Sequence, residues 1–146
     1  MSLNRIFDVA GSGMNAQTLR LNTTASNMAN AQTASSSADT VYRARQPVFA
    51  AMQQQAMNVK FDTLDDGKPE SVGVQVMGIV ESDAPLQRRY EPHHPEADDE
   101  GYVFYPNVNV VEEMSNMIAA SRSFQVNVDV MDSAKKMMQR VLTLGQ

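Results

Sequence analysis

At 146 residues the chain has the length of one domain, and 42% apolar residues would furnish one modest core. It contains no Cys and no Trp, so a disulfide framework and thiolate metal sites are excluded. The net charge of −5 sits in an acidic middle with no basic stripe, which argues against a nucleic-acid partner.

The charge is unevenly divided. Residues 1–38 carry only Arg5, Asp8 and Arg20, whereas residues 39–108 carry twelve acids against six bases. A segment as poor in charge as the first makes a weak free surface and reads as one meant to be covered. No run of about 18 apolar residues is present, so no direct membrane insertion is expected. The opening MSLNRIFDVAGSG has no charged, apolar and cleavage regions in sequence, so no cleaved secretory signal is expected.

Residues 1–33 are predicted to form the first helix. Phe7, Met14, Leu21 and Met28 share one heptad position; Leu3, Ala10, Gln17, Thr24 and Ala31 share the neighbouring one. Gln17, Thr24 and the alanines dilute this seam. Gly11 and Gly13 each cost about 0.5–1 kcal/mol relative to Ala. Such a helix is marginal alone and needs a packing partner. The segment ASSSAD, residues 34–39, breaks the pattern and is expected to be a flexible joint.

Residues 40–108 are expected to form a β-rich insert. TVYRARQPVF (40–49) and SVGVQVMGIV (71–80) are rich in β-branched residues and partly alternating, with Val72, Val74 and Val76 on one face. FAAMQQQAMNVKF (49–61) is ambiguous between loop and short helix, and DDGKPE (65–70) is a turn signal. PHHPEADDEGYVFYPN (92–107) reads as an acidic loop carrying a short strand at residues 102–105.

Residues 109–146 give the clearest element. Asn109 followed by Glu112 has the spacing of a capping box. Val110, Met117, Phe124, Met131 and Met138 then recur every seven residues, with Ala120, Asn127, Ala134 and Val141 at +3 and Met114, Ser121, Val128 and Leu142 at +4. Acids in the first turn and Lys135, Lys136 and Arg140 near the end match the helix dipole, and Gly145 supplies a stop. Some thirty residues of helix span about 50 Å, too long for the interior of a small domain. The expected fold is therefore α+β: long terminal helices forming an antiparallel coiled-coil-like pair, with a small β-rich insert between them. Burying a large seam side chain is worth about 1.5–3 kcal/mol, so surface that the pair leaves uncovered favours packing between molecules.

The motifs that could carry chemistry are weak. His93 and His94 lie beside Glu96, Asp98, Asp99 and Glu100, yet neither calcium-loop nor HExxH spacing is present. No G-x-S-x-G occurs; the Gly11-Ser12-Gly13 run falls inside the helical pattern and reads as a close approach of backbones. No catalytic residue, metal site or cofactor is expected. Asn27 and Asn30 are either exposed amides or hydrogen-bond to a neighbouring subunit's backbone, the second being favoured. Gln125 and Asn127 are candidates for setting register.

Residues 12–33, SGMNAQTLRLNTTASNMANAQT, resemble the N-terminal signature of the flagellar rod, hook and filament-junction family, through Gly13, Met14, Ala16, Gln17, Arg20, Leu21, Asn27, Ala29 and Asn30. Residues 101–145 resemble its C-terminal signature, and YPNVNVVEEM with ASRSFQVNV is similar to the proximal-rod member. IFDVAGSGM and YRARQPVF fit that member too, so the likeness covers residues 3–49 and 71–145. The joint lacks the Gly often found there, and the stretch 50–68 is longer than in the pattern.

The resemblance implies a structural subunit of the periplasmic rod, exported by the flagellar type III apparatus without a cleaved signal peptide. It implies homo- and hetero-oligomeric helical stacking with other rod subunits and with the adaptor to the membrane ring, through the terminal helices, to transmit torque. Subunit packing is then expected from Phe7, Met14, Leu21, Met28, Asn27 and Asn30 on the first helix. On the second it is expected from Val110, Met117, Phe124, Val128, Met131, Met138 and Leu142. A helical stack needs unlike faces that do not close on themselves. Two other readings are a soluble adaptor gripping one partner in a closed complex and a metal enzyme built on the acidic loop.

Overall fold

A computed structural model of the chain describes residues 3–53 and 71–144. The elements are α1 (Leu3–Asn30), β1 (Arg45–Gln53), β2 (Ser71–Glu81), β3 (Gln87–Tyr90), β4 (Tyr102–Tyr105) and α2 (Val110–Leu144). The fold is α+β, with two terminal helices and two small antiparallel sheets between them. The turn expected at residues 65–70, most of the ambiguous stretch 49–61, and Gly145 lie outside the described residues.

The helices pack side by side with their contacts in reversed order. A side chain at Gly13 would meet Asn127 Nδ2 at 2.8 Å, and Arg20 Nη2 donates to Asn116 Oδ1 at 3.1 Å. Ile6 lines a shallow hollow with Val130, Ala134 and Met137. As the number rises along α1 it falls along α2. The start of α2 is capped as expected: Asn109 Oδ1 accepts from the amide of Val111 at 3.1 Å, and the Asn109 carbonyl accepts from Glu113 at 3.0 Å.

Apart from Asn27, which is bonded to Arg45 and Tyr42, and Glu113, the buried residues of the two helices are small. Ala10, Ala16, Thr23, Thr24 and Asn27 are buried on α1, and Ala120, Ala134 and Glu113 on α2. Phe7, Met14, Leu21 and Met28 on α1 and Met117, Phe124, Met131 and Met138 on α2 are half-buried, while Met114 and Leu142 are exposed. Small side chains let the two backbones come close, so bulky ones are pushed to the margins. At the Gly-Ser-Gly run this approach becomes a three-way junction. Ser12 Oγ donates to the Val9 carbonyl at 2.9 Å and accepts from the Val74 amide at 3.1 Å, which fastens β2 to α1. Gly73 faces Ser12 with φ +143°, a conformation that L side chains rarely adopt, and its missing side chain makes room for the serine.

β1 and β2 pair antiparallel from Arg45↔Glu81 to Gln53↔Ser71, with register shifts at Val48/Phe49 and Met52/Gln53. The strand thus begins later than the β-pattern at residue 40, and its first bulge falls where Met77 has no partner. β3 pairs with β4 over Gln87↔Tyr105 to Tyr90↔Tyr102. QRRY has no alternating apolar pattern and is not legible as a strand; its arginines instead lie over the aromatic rings of β4. Arg88 sits 3.8 Å from the Tyr102 ring centre and Arg89 4.8 Å from that of Tyr105.

The insert has its own small core around Val103, Val41, Ala44, Pro106 and Val108. Asn107 knits it together. Its Oδ1 accepts from the Ala44 amide at 2.8 Å, and its Nδ2 donates to the carbonyls of Ser82 and Ala84 at 3.1 and 2.9 Å. The segment 34–39, expected as a flexible joint, is pinned to this core: Ser35 and Phe104 exchange backbone hydrogen bonds of 3.0 and 2.9 Å. The low side-chain bulk of the serines is what lets the turn lie against β4.

Candidate subunit interface

Of the expected packing residues, Phe7, Met14, Leu21, Met28 and Asn30 on α1 are half-buried, as are Val110, Met117, Phe124, Val128, Met131 and Met138 on α2. Leu142 is 68% exposed. Asn30 spends its Nδ2 on the Ser26 carbonyl one turn back, at 2.8 Å.

Asn27 corrects the expectation of a bond to a neighbouring subunit. It is 1% exposed, and its amide is committed within the chain. Nδ2 donates to the Arg45 carbonyl at 2.8 Å, while Oδ1 accepts from the Arg45 amide at 2.9 Å and from the Tyr42 hydroxyl at 2.8 Å. An amide side chain presents a donor and an acceptor side by side, so it can match one backbone residue as a second strand would. It therefore docks the first residue of β1 onto α1, next to a Tyr42 ring that also carries the Arg45 guanidinium at 5.3 Å.

Exposed apolar side chains of α2 fall largely outside the expected set. Val111, Met114 and Ile118 lie along its first third, and Val126, Val130 and Met137 along its second half. The last three, with Ile6, line an apolar hollow of about 300 Å³. α2 has 35 residues against 28 for α1. The order of contacts therefore leaves its last seven residues, about 10 Å of helix, running past the start of α1. Val141 and Leu142 lie on that overhang, which explains their exposure. The heptad count alone could not find Ile118 or Val126, because it records one seam and they lie off it; a search for apolar residues left over after the seam would have flagged them. Val48, Met77, Ile79 and Val80 are further exposed apolar residues on the β1–β2 ribbon.

A second hollow, about 430 Å³, lies where α1, β1 and the start of α2 meet, lined by Arg20, Arg45, Gln46, Glu112, Glu113 and Asn116 among others. Arg45 is paired to Glu81 at 3.0 Å and Arg20 is held by Asn116. Glu113 is 6% exposed.

The acidic loop spends its groups on its own turns. His94 Nδ1 accepts from the Glu96 amide at 3.1 Å, Asp98 Oδ1 from the amides of Glu100 and Tyr102 at 3.0 and 2.8 Å, and Arg88 pairs with Glu100 at 3.0 Å. Among the described residues no group of three or more His, Asp or Glu side chains is placed to hold a metal ion. None of the described helices is long and apolar enough to cross a membrane.

Comparison with known proteins converges on one family. Residues 7–34 match the family described as flagella basal body rod protein, and residues 99–144 match the C-terminal family of flagellar basal body rod FlgEFG proteins. The flagellar basal-body rod protein FlgC of Salmonella typhimurium is 45% identical over 148 aligned positions that span all of both chains. That of Yersinia enterocolitica is 44% identical over the whole of both. That of Borreliella burgdorferi is 37% identical over the whole of this chain and 99% of its own. The matched segments fall on α1 and on β4 with α2, the elements that form the helix pair and its capped start. With full-length identity well above 30%, the chain belongs to the FlgC family of flagellar basal-body rod proteins, which are structural components and not enzymes.

Proposed function

We propose that this chain, a structural subunit of the flagellar basal-body rod, stacks helically with copies of itself and with other rod proteins to form a torque-transmitting shaft. In this reading residues 1–33 and 109–146 are the rod helices, acting as a coiled-coil-like pair, and residues 40–108 are an insert carried outside them. The half-buried seam residues and the exposed apolar residues of α2 supply the contacts. The subunit stands at the proximal, periplasmic end of the rod, beside the adaptor to the membrane ring, and reaches it by type III export with no cleaved signal.

The observation that carries this reading is the surface of α2. Ile118, Val126, Val130 and Met137 are 42–60% exposed on a helix whose small-residue face is already used. Each such side chain gains about 1.5–3 kcal/mol when covered, and among the described residues they remain exposed. The pattern also favours an open stack over a closed complex with one partner, since it occupies different sides of α2 along its length.

Replacing Ile118, Val126 and Met137 together by Asp tests it. The expected outcome is a chain with unchanged helix content by circular dichroism that is still secreted, in cells that complete no rod and do not swim. Normal swimming by that strain would remove α2 from the assembly interface.

A further inference from the structure

We infer that Gln17 and Asn127 form a register lock of the helix pair: in the rod, Gln17 Oε1 takes a hydrogen bond from Asn127 Nδ2 over the gap left by Gly13, and this bond sets how far α1 and α2 slide along each other. The bond lies within one chain, so it stands apart from the stacking proposed above.

The acceptor is identified by its lack of a partner. Gln17 Oε1 is the one buried side-chain polar atom without a hydrogen bond among the described residues. A buried carbonyl oxygen left unmatched is costly, and native structures keep few of them. Exchanging the two ends of the amide gives no relief, since a buried donor would replace the buried acceptor. Other buried polar residues of α1 are satisfied. Thr23 donates to the Leu19 carbonyl at 2.9 Å, and Asn27 uses both ends of its amide.

The donor stands across the helix contact. Asn127 is half-buried, its Nδ2 lies 2.8 Å from where a Gly13 side chain would begin, and its amide makes no hydrogen bond among the described residues. Gln17 is one turn beyond Gly13 on the same face of α1. Helical side chains lean toward the N-terminus of their own helix. Because the helices run in opposite senses, Gln17 leans back over Gly13, while Asn127 leans toward the turn that faces Gln17. The unmatched acceptor and the unmatched donor thus lean toward each other, with no side chain at Gly13 between them. Arg20, a further donor one turn along α1, is held by Asn116 at 3.1 Å. Rotation about side-chain bonds is the motion that joins the two amides.

A lock at this level has a purpose. Ala10, Ala16, Ala120 and Ala134 are alike in size, so a slide of one turn would set small residue against small residue again. An amide pair at a single level distinguishes one alignment from the rest, as a lone buried polar pair does in a coiled coil.

The alignment can be read in purified basal bodies from cells producing the full-length chain. Because the chain has no Cys, Ile6→Cys is combined in turn with Val130→Cys, Ala134→Cys or Met137→Cys, residues of one hollow about a turn apart. With Gln17 and Asn127 intact, oxidation should close mainly one of the three pairs within the chain. In Gln17→Leu or Asn127→Leu the favoured pair should lose about fivefold in yield relative to its neighbours, the worth of one hydrogen bond. Gly13→Ala puts a methyl where the Asn127 amide sits and should spread the pairs likewise, with both amides still present; it decides alone if a leucine variant never reaches the rod. The two leucine substitutions together should lower incorporation no further than the worse single one, since both remove the same bond. An unchanged pattern of pairs in these variants, or losses that multiply in the double variant, would overturn the lock. Either result leaves the stacking reading standing, because that reading concerns surfaces outside the helix contact.

Discussion

The helix pair and the β insert are held together by opposite means. Between α1 and α2 the contact is long, repetitive and built from Ala, Gly and Thr, so no single side chain dominates it. Within the insert and where it meets α1 the contacts are few and specific: three hydrogen bonds on Asn27 of α1, three on Asn107, one fully buried Val103 and a set of arginines over aromatic rings. A surface made of small residues can be extended by another helix of the same kind, since little shape has to be matched. A surface made of directed hydrogen bonds accepts only its own partner. The difference teaches where the chain is adaptable and where it is specified.

Removing Asn27 should have the largest effect. Asn27→Ala leaves the amide and carbonyl of Arg45 unmatched and is expected to cost about 3 kcal/mol, read from the midpoint of chemical denaturation. A loss below about 1 kcal/mol would mean that the insert is held to α1 by something other than this amide. A middle-sized effect is expected where the helix pair is overfilled. Ala120→Leu puts a branched side chain at a position with no exposed surface and should cost about 2 kcal/mol by strain or by parting the helices. If the variant is as stable as the parent, the helix contact is loose and the contrast with the insert fails.

The smallest effect concerns pH and lies wholly within the insert. Burial, the hydrogen bond to Glu91 and the charge of Glu91 raise the Tyr105 phenol above its ordinary value of 10.0. The folded chain therefore holds this proton more tightly than the unfolded one. The contribution to stability is full below pH 10.0 and is lost as the pH rises through the folded-state value. Tyrosinate absorbance should show one late-ionising group that Tyr105→Phe removes. The same late ionisation in the variant would assign it to another tyrosine.

Much of the architecture was legible because it follows from local periodicity. Met117, Phe124, Met131 and Met138 mark a long helix by spacing alone, and Asn109 marks its start by the chemistry of its side chain. The identity of the central line was not legible. A heptad count weighs large apolar residues most, whereas the backbones here come close enough for Ala10, Ala120 and Ala134 to take the middle. β3 was invisible for a different reason: Gln87–Tyr90 is a strand only because Tyr102, Phe104 and Tyr105, far along the chain, offer faces to its arginines. The role of Asn27 was misjudged because its partner, the backbone of Arg45, leaves no trace in the residue types.

The clamp on Asn27 has a mechanical consequence. One amide grips both polar groups of a single backbone residue while a tyrosine hydroxyl steadies it from the side, so the start of β1 can neither slide along α1 nor roll about it without breaking several bonds together. A sideways push on β1 is then passed into the helix as a twist, with no slack at the junction to absorb it.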